Sequence, residues 1–298
     1  MDIETKYAVG VDVGGSHVCS AVVEVASGTI CSEPRITPID SRAEAHDIVE
    51  ALRNNVLTTF ETFGRPVPDI GFAFPGPFDY DRGVSLINGV AKYESIFGLD
   101  VYKTLASELY SAAGSVRMRF VNDASAFALG EALYGAAKGA DKVVALTLGT
   151  GVGSGFVADG KLVTNSPDVP ANGWVYCLPF EDDIVDSAFS TRWIVRRFEE
   201  LAGRKVAGAK EVADIYDTDT AAKELFREYG TRFARFASDV MGRFGSRTLV
   251  IGGNISRAWP LFSGAAREEF LKLGFDAEVV VSQLLDKAAL AGAASLFI

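Results

Sequence analysis

The sequence predicts an α/β protein built from two halves of the same plan. An order of strand, glycine-rich turn, strand, X-Gly turn and strand runs from Tyr7 to Ser32 and returns from Lys142 to Val163. Each occurrence is followed by helical and strand-like stretches. The chain of 298 residues, 48% of them hydrophobic, can bury one large core or two medium ones, and its length favours two domains.

In chain order, Tyr7 to Val13 is a buried-strand pattern that runs through Asp12 into Gly14-Gly15-Ser16, and Val18 to Val25 resumes an apolar strand. The glycine pair makes a tight turn. Ser27-Gly28 makes another before Thr29 to Ser32, giving a three-stranded antiparallel start. Ile48, Leu52, Val56, Leu57 and Phe60 mark a helix over Ala43 to Phe63, and Pro66 and Pro68 break it before the strand Ile70 to Phe74. Pro75-Gly76-Pro77 leads into a loop of small and polar residues that holds Asn88 and ends near Gly98. Val101 to Ala112 reads as a helix, Val116 to Val121 as a strand and Ala124 to Ala137 as a helix.

In the second half, the strand Lys142 to Leu148 enters the turn Gly149-Thr150-Gly151-Val152-Gly153-Ser154-Gly155. Strands Phe156 to Ala158 and Lys161 to Val163 follow, joined by Asp159-Gly160. Asp182 to Leu201 is polar and then helical. Thr220 to Phe244 is a long amphipathic helix with Arg232 and Arg235 expected on its solvated face. Arg247 to Ile251 is a strand running into Gly252-Gly253-Asn254, with a helix beyond. The strand Ala277 to Ser282 and an alanine-rich helix from about Leu285 to Phe297 close the chain.

A net charge of -10 and a pI near 4.8 leave no basic field for nucleic acid. No apolar run reaches the roughly 18 residues that span a bilayer, and Met1-Asp2-Ile3-Glu4 lacks the basic start of a signal peptide, so a cytoplasmic location is expected. Cys19, Cys31 and Cys177 are too few and too scattered for a disulfide framework or a four-sulfur zinc site. With only His17 and His46 present, proton transfer falls to a carboxylate.

The stretch Arg119-Phe120-Val121-Asn122-Asp123 meets that need, because a carboxylate between a strand end and a helix can accept a proton from a substrate hydroxyl. Asn and Asp are also preferred helix caps, and capping alone explains the pair taken in isolation. The two glycine-rich turns are each compatible with a plain hairpin. At matched places in two halves they suit phosphate contact, since glycine lets backbone N–H groups approach an anion. Gly252-Gly253 between strand and helix leaves room for a flat ring, with close packing the simpler reading.

Five segments in order, VDVGGSH (Val11 to His17), FPGPFD (Phe74 to Asp79), VNDASAFALGE (Val121 to Glu131), LTLGTGVGSGF (Leu146 to Phe156) and IGGNIS (Ile251 to Ser256), resemble the ROK family of the actin/hexokinase/heat-shock-protein-70 superfamily. The resemblance runs from about Tyr7 to the C-terminus. It implies two ribonuclease-H-like (actin-like ATPase) domains with an interdomain cleft, residues 1–120 and 121–284, with the C-terminal helix 285–298 packed back on the first domain. It implies ATP-dependent, magnesium-assisted phosphorylation of a hexose or N-acylhexosamine, glucokinase-like, by a homodimer.

Position by position, the resemblance gives Asp12 the magnesium, directly or through water, and gives Gly14, Gly15, Ser16, Thr150, Gly151 and Gly153 the nucleotide phosphates. Gly252, Gly253 and Asn254 would line the adenosine pocket, and the helix around Ala289 and Gly292 would be the second interdomain connector. Asn122 and Asp123 match the sugar-binding pair, with Asp123 as base, while Gly76 and Asn88 stand in the sugar loops.

The chain departs from the family beyond the second turn. Active sugar kinases of the family carry Glu-x-Gly-His and a cysteine-rich zinc loop there, whereas Asn165 to Ser190 has neither, and Cys177 alone builds no zinc site. Asn172, Asp168 and Glu181 remain open as replacement contacts; His17 receives no role. A catalytically silent sugar-binding or regulatory protein is the alternative. The family's repressors carry an N-terminal helix-turn-helix, for which a first strand starting at Tyr7 leaves no room. A cytoskeletal or chaperone-type ATPase would share the turns but leave Asn122-Asp123 and Phe74 to Asp79 unexplained.

Overall fold

Continuous apolar runs form the middle of each sheet, where side chains are covered on both faces. A computed structural model describes residues 6–298; the Met1-Asp2-Ile3-Glu4 stretch lies outside the described residues. The first half contains β1 (Tyr7–Val13), β2 (His17–Glu24), β3 (Thr29–Ile30), β4 (Arg35–Pro38), α1 (Ala45–Phe63), β5 (Asp69–Phe74), β6 (Phe78–Asp79), β7 (Val84–Ser85), α2 (Val101–Ala113), β8 (Arg117–Asn122) and α3 (Asp123–Tyr134). The second contains β9 (Lys142–Leu148), β10 (Val152–Ala158), β11 (Lys161–Leu162), β12 (Pro179–Phe180), β13 (Asp183–Ile184), α4 (Val185–Phe189), α5 (Thr191–Ala202), α6 (Ala209–Asp214), α7 (Thr220–Phe244), β14 (Thr248–Gly252), α8 (Trp259–Lys272) and β15 (Glu278–Val281). The last helix is α9 (Lys287–Ala294).

The two main sheets repeat one topology, as the element order predicts. The first runs β3-β2-β1-β5-β8, with β4 also on β2, and the second runs β11-β10-β9-β14-β15. In each, an antiparallel hairpin is extended by two parallel strands. The chain through Gly135 together with Asp286–Ile298 forms one compact unit, and Ala136–Leu285 forms the other. Among the described residues, no helix is long and apolar enough to cross a membrane.

Within the first unit, α1 and α2 bury Ile48, Leu52, Val56, Leu105 and Leu109 against Phe72 and Phe74 of β5. The helix α9 packs on β1, β5 and α3. Its approach is unusually close, because a Cβ on Gly10 would collide with the Leu290 carbonyl and one on Gly71 with the Ala293 carbonyl. In the second unit an aromatic cluster of Phe189, Tyr229, Phe233, Trp259 and Phe262 ties α4, α7 and α8 together through largely edge-to-face contacts.

Three features differ from the sequence reading. First, β10 begins at Val152, so Gly153 and Gly155 pair with Thr147 and Ala145 inside the sheet, and the turn itself is only Gly149–Gly151. The glycines that read as loop are small residues in a strand. Second, the four-residue edge strand β4, the β12–β13 hairpin and the one-and-a-half-turn helix α6 were too short to show a period. Third, Arg232 does not lie on a solvated face. Its side chain is only 15% exposed, 4.8 Å over Trp193 and 5.5 Å over Phe180, and it pairs with Glu181 at 2.6 Å. Arg235 stays half exposed but is tied to Glu269 at 2.6 Å.

Two outcomes follow from this packing. Gly71→Ala is expected to destabilise the protein by about 2–4 kcal/mol, since backbone of α9 must move to admit the methyl group; urea unfolding of the variant checks it. Arg232→Ala is expected to lower stability by about 1–3 kcal/mol and Arg232→Lys to recover less than half, because the planar guanidinium both stacks and pairs; thermal melts of the two variants measure the difference.

Candidate active site

Parallel pairing brings three chain segments out at one edge of the first sheet. Asp12 stands opposite Ala73, and Phe74 opposite Asn122. The ends of β1, β5 and β8 therefore deliver Asp12, the Pro75-Gly76 turn and Asn122-Asp123 side by side, the usual place for a site in such sheets.

Asn122 is the N-cap of α3: its Oδ1 accepts from Ala124 N at 3.1 Å and Ser125 N at 3.3 Å. Its Nδ2 donates to the Tyr80 hydroxyl at 3.3 Å, which in turn donates to the Phe74 carbonyl at 3.1 Å. Asp123 opens α3 and accepts from Ala124 N at 2.9 Å. Solvent reaches its carboxylate, yet protein crowds the group enough that burial raises its pKa. Hydrogen bonds from Ala124 and Asn122 and the charge of Lys92 oppose the rise.

Asp12, half-buried, is pushed up to about 7, first by burial and then by repulsion from Asp123 and Asp286, the residue just before α9. Cys19, paired with Asp12 across β1 and β2, is raised to about 11 by burial and then by the charges of Asp12 and Asp286. Asp12 thus offers a hard oxygen donor in a field of surplus negative charge from two further acids, which suits magnesium.

The first turn is held from below. Gly14 N donates to His17 O at 3.0 Å, while Gly15 and Ser16 are exposed. The Tyr93 hydroxyl donates to the Gly14 carbonyl. Tyr93 is fully buried and left-handed at φ 58°, and its N–H donates to Ser41 O at 2.5 Å. The loop that carries exposed Asn88 is thus fastened to the turn, and Gly76 is half-buried on the neighbouring turn.

In the second unit Gly149 N donates to Gly151 O at 3.0 Å, leaving Thr150 exposed at the tip. Val152 N donates to Asp186 Oδ1 at 2.8 Å. Gly153 lies within β10, opposite Thr147, and buried Gly252 of β14 also sits opposite Thr147 on the other side of β9. Gly253 has φ 79°, and a Cβ there would strike the Leu148 backbone, so the segment Gly252-Gly253-Asn254 runs directly beside the turn. Next to it is a cavity of about 580 Å³ lined by Asn254, Ile255, Thr191, Ile194, Lys210 and Phe226, among others. An apolar wall with a few polar groups is the character of a small-molecule pocket.

The altered segment is ordered by Ser154, whose Oγ donates to Gly173 O at 2.5 Å and accepts from Val175 N at 3.0 Å. Asn172 and Asp168 are exposed, whereas Glu181 is engaged by Arg232. Among the described residues Cys177 belongs to no cluster of metal-ligating side chains.

Tyr80, Tyr93, Lys92, Asp186, Thr191 and Lys210 escaped the sequence reading. Tyr80 directly follows the Phe74 to Asp79 motif, a signal that could have found it; the others act across more than 30 residues or from short elements without a pattern.

Residues 8–298 match the ROK family. The chain is 30% identical over 320 aligned positions to a glucokinase of Thermotoga maritima, covering 97% of this chain and 96% of that protein. It is 24% identical to an N-acetyl-D-glucosamine kinase of Vibrio cholerae, covering 83% of this chain and 84% of the other. A solved ROK family glucokinase from Streptomyces griseus, in complex with glucose and AMPPNP, matches with a TM-score of 0.73 at 25% identity, covering 97% of this chain and 98% of that one. The repeated sheets are those of the actin-like ATPase fold. Motifs, topology and a match over nearly the whole length agree, and the chain belongs to the ROK family.

Proposed function

We propose that this ATP-dependent sugar kinase transfers the γ-phosphoryl group to a hydroxyl of a hexose or N-acylhexosamine, with Asp123 as the base. The observation that carries the reading is Asp123 itself, a solvent-reached carboxylate of raised pKa at the same sheet edge as Asp12. A base must hold the proton of the attacking hydroxyl only in passing, and a pKa moved toward neutrality serves that purpose. Asn122 and Asp123 bind the sugar from the end of β8, with Gly76 and Asn88 supplying further contacts.

The exposed turn Gly14-Gly15-Ser16 in the first unit and Thr150, Gly151 and Gly153 in the second bind the nucleotide phosphates. Gly252, Gly253 and Asn254 with the 580 Å³ cavity take the adenosine. A cavity of that size favours a nucleoside triphosphate over an inorganic polyphosphate, which has no ring to fill it. Magnesium held by Asp12, directly or through water, would neutralise charge on the β- and γ-phosphates. Asp286 adds a further negative charge behind Asp12.

An assay of ADP release over a panel of hexoses and N-acylhexosamines tests the reading. Asp123→Asn is expected to lower kcat about 10²–10⁴-fold while the sugar KM moves little. Sugar binding without turnover in the unmutated protein would instead identify a silent binder.

A second outcome concerns pH. The folded-state pKa of Asp12, about 7, lies above its unfolded value of 3.8, so between these limits the folded chain holds a proton that the unfolded chain has released. Asp12 therefore works against the fold increasingly as pH rises through that window, by up to about 1.4 kcal/mol per pH unit. Without metal or nucleotide, Asp12→Asn is expected to melt higher than the unmutated protein at about pH 8 and to lose this advantage at about pH 4. Melting curves in chelator decide it, and a variant that melts lower at the higher pH contradicts the sign.

A further inference from the structure

The acid behind the second turn poses a problem for the proposed function, and its solution points to a residue without an assigned role. Asp186 accepts from Val152 N at 2.8 Å, and a Cβ on Gly151 would come within 2.7 Å of its Oδ1. The turn is thus built directly on a carboxylate. A bare carboxylate at this distance would repel any phosphate that approached the turn.

Arg192 answers that charge. Its Nη2 donates to Asp186 Oδ2 at 2.5 Å, so the two oxygens of one carboxylate link the guanidinium to the backbone of the turn. The attachment is doubled through the preceding residue, since Thr191 N and Thr191 Oγ1 both donate to the Gly149 carbonyl, at 2.8 and 3.0 Å. Thr191 also lines the 580 Å³ cavity. Arg192 is therefore one residue from the cavity wall and one carboxylate from the turn. The Arg192 side chain is 65% exposed, and with one nitrogen on Asp186 the rest of the fork faces outward.

We propose that Arg192 binds the phosphates of the nucleotide at the second turn, bridging Asp186 and a phosphate oxygen. Asp186 serves as a positioning residue that holds both the turn and the guanidinium. The fork of the guanidinium suits the task, because it can satisfy the carboxylate and a phosphate at once where a lysine offers a single point charge. This rests on the reading that nucleotide phosphates bind at Thr150-Gly151.

Calorimetric titration of adenosine, ADP and ATP, with magnesium, into the unmutated protein, Arg192→Gln and Arg192→Lys tests it. In Arg192→Gln, ATP binding is expected to weaken about ten- to a hundredfold, ADP less, and adenosine not at all, with Arg192→Lys recovering part of the loss. The ATP KM should rise with the sugar KM unchanged. Equal losses for adenosine and ATP would show a merely structural role and overturn the proposal, as would unaltered ATP binding in Arg192→Gln. An unmutated protein that does not distinguish adenosine from ATP would overturn the phosphate reading of the turn and this inference with it.

Discussion

The seating of α9 on the first sheet is the constraint on which the carboxylate site depends. Its backbone carbonyls occupy the space where Cβ atoms of Gly10, Gly71 and Gly130 would stand, and its own Gly292 meets the Ala126 carbonyl of α3. Four glycines on four elements let backbone rest on backbone in place of side-chain interdigitation. Because β1 and β5 are held from the same side by one rigid helix, their ends stay level, and the end of β8 is levelled through β5. The residue that opens the approach to α9 is Asp286, so the helix that fixes the strands also contributes charge to their ends.

That charge opposes folding. Burial, and then repulsion from Asp123 and Asp286, raises the proton affinity of Asp12, and burial raises that of Asp123. Sites that break the rules of stability in this way mark function, and the surrounding packing carries the strain. The second unit handles an acid differently. Asp186 spends one oxygen on a backbone N–H and the other on Arg192, so its charge is compensated within the unit. An acid left uncompensated suits a cation, and an acid paired with arginine suits an anion.

The division between what the sequence shows and what it hides follows from range. The duplicated topology was legible because hairpins and apolar runs are local, and Asn122-Asp123 and both glycine turns could be placed from neighbours in the chain. Tyr93 reaching Gly14, Arg232 clasped between Phe180 and Trp193, and Asp186 behind Val152 join residues 34 or more apart, and no period records them. Composition misled at Gly153 and Gly155, where small residues read as turn but pair within a sheet. Arg232 misled for the opposite reason: a charge on an amphipathic helix implies water unless an aromatic pocket and an acid are in place to receive it.

Asn122 shows how a local rule and a site constraint combine. As a cap it commits Oδ1 to two N–H groups of α3, so the acceptor that its amide could have offered a ligand is already taken. Nδ2 remains, with one hydrogen directed to Tyr80 and the other toward the Asp123 carboxylate, whose proton affinity it lowers. On the proposed reading, the pair then works as one unit in which the amide steadies the base. The hydroxyl at Asp123 must donate, because an ionised carboxylate only accepts. Capping does not compete with recognition here; by consuming the carbonyl oxygen it removes the ambiguity of an amide and turns its N–H groups toward the carboxylate that is to receive the proton.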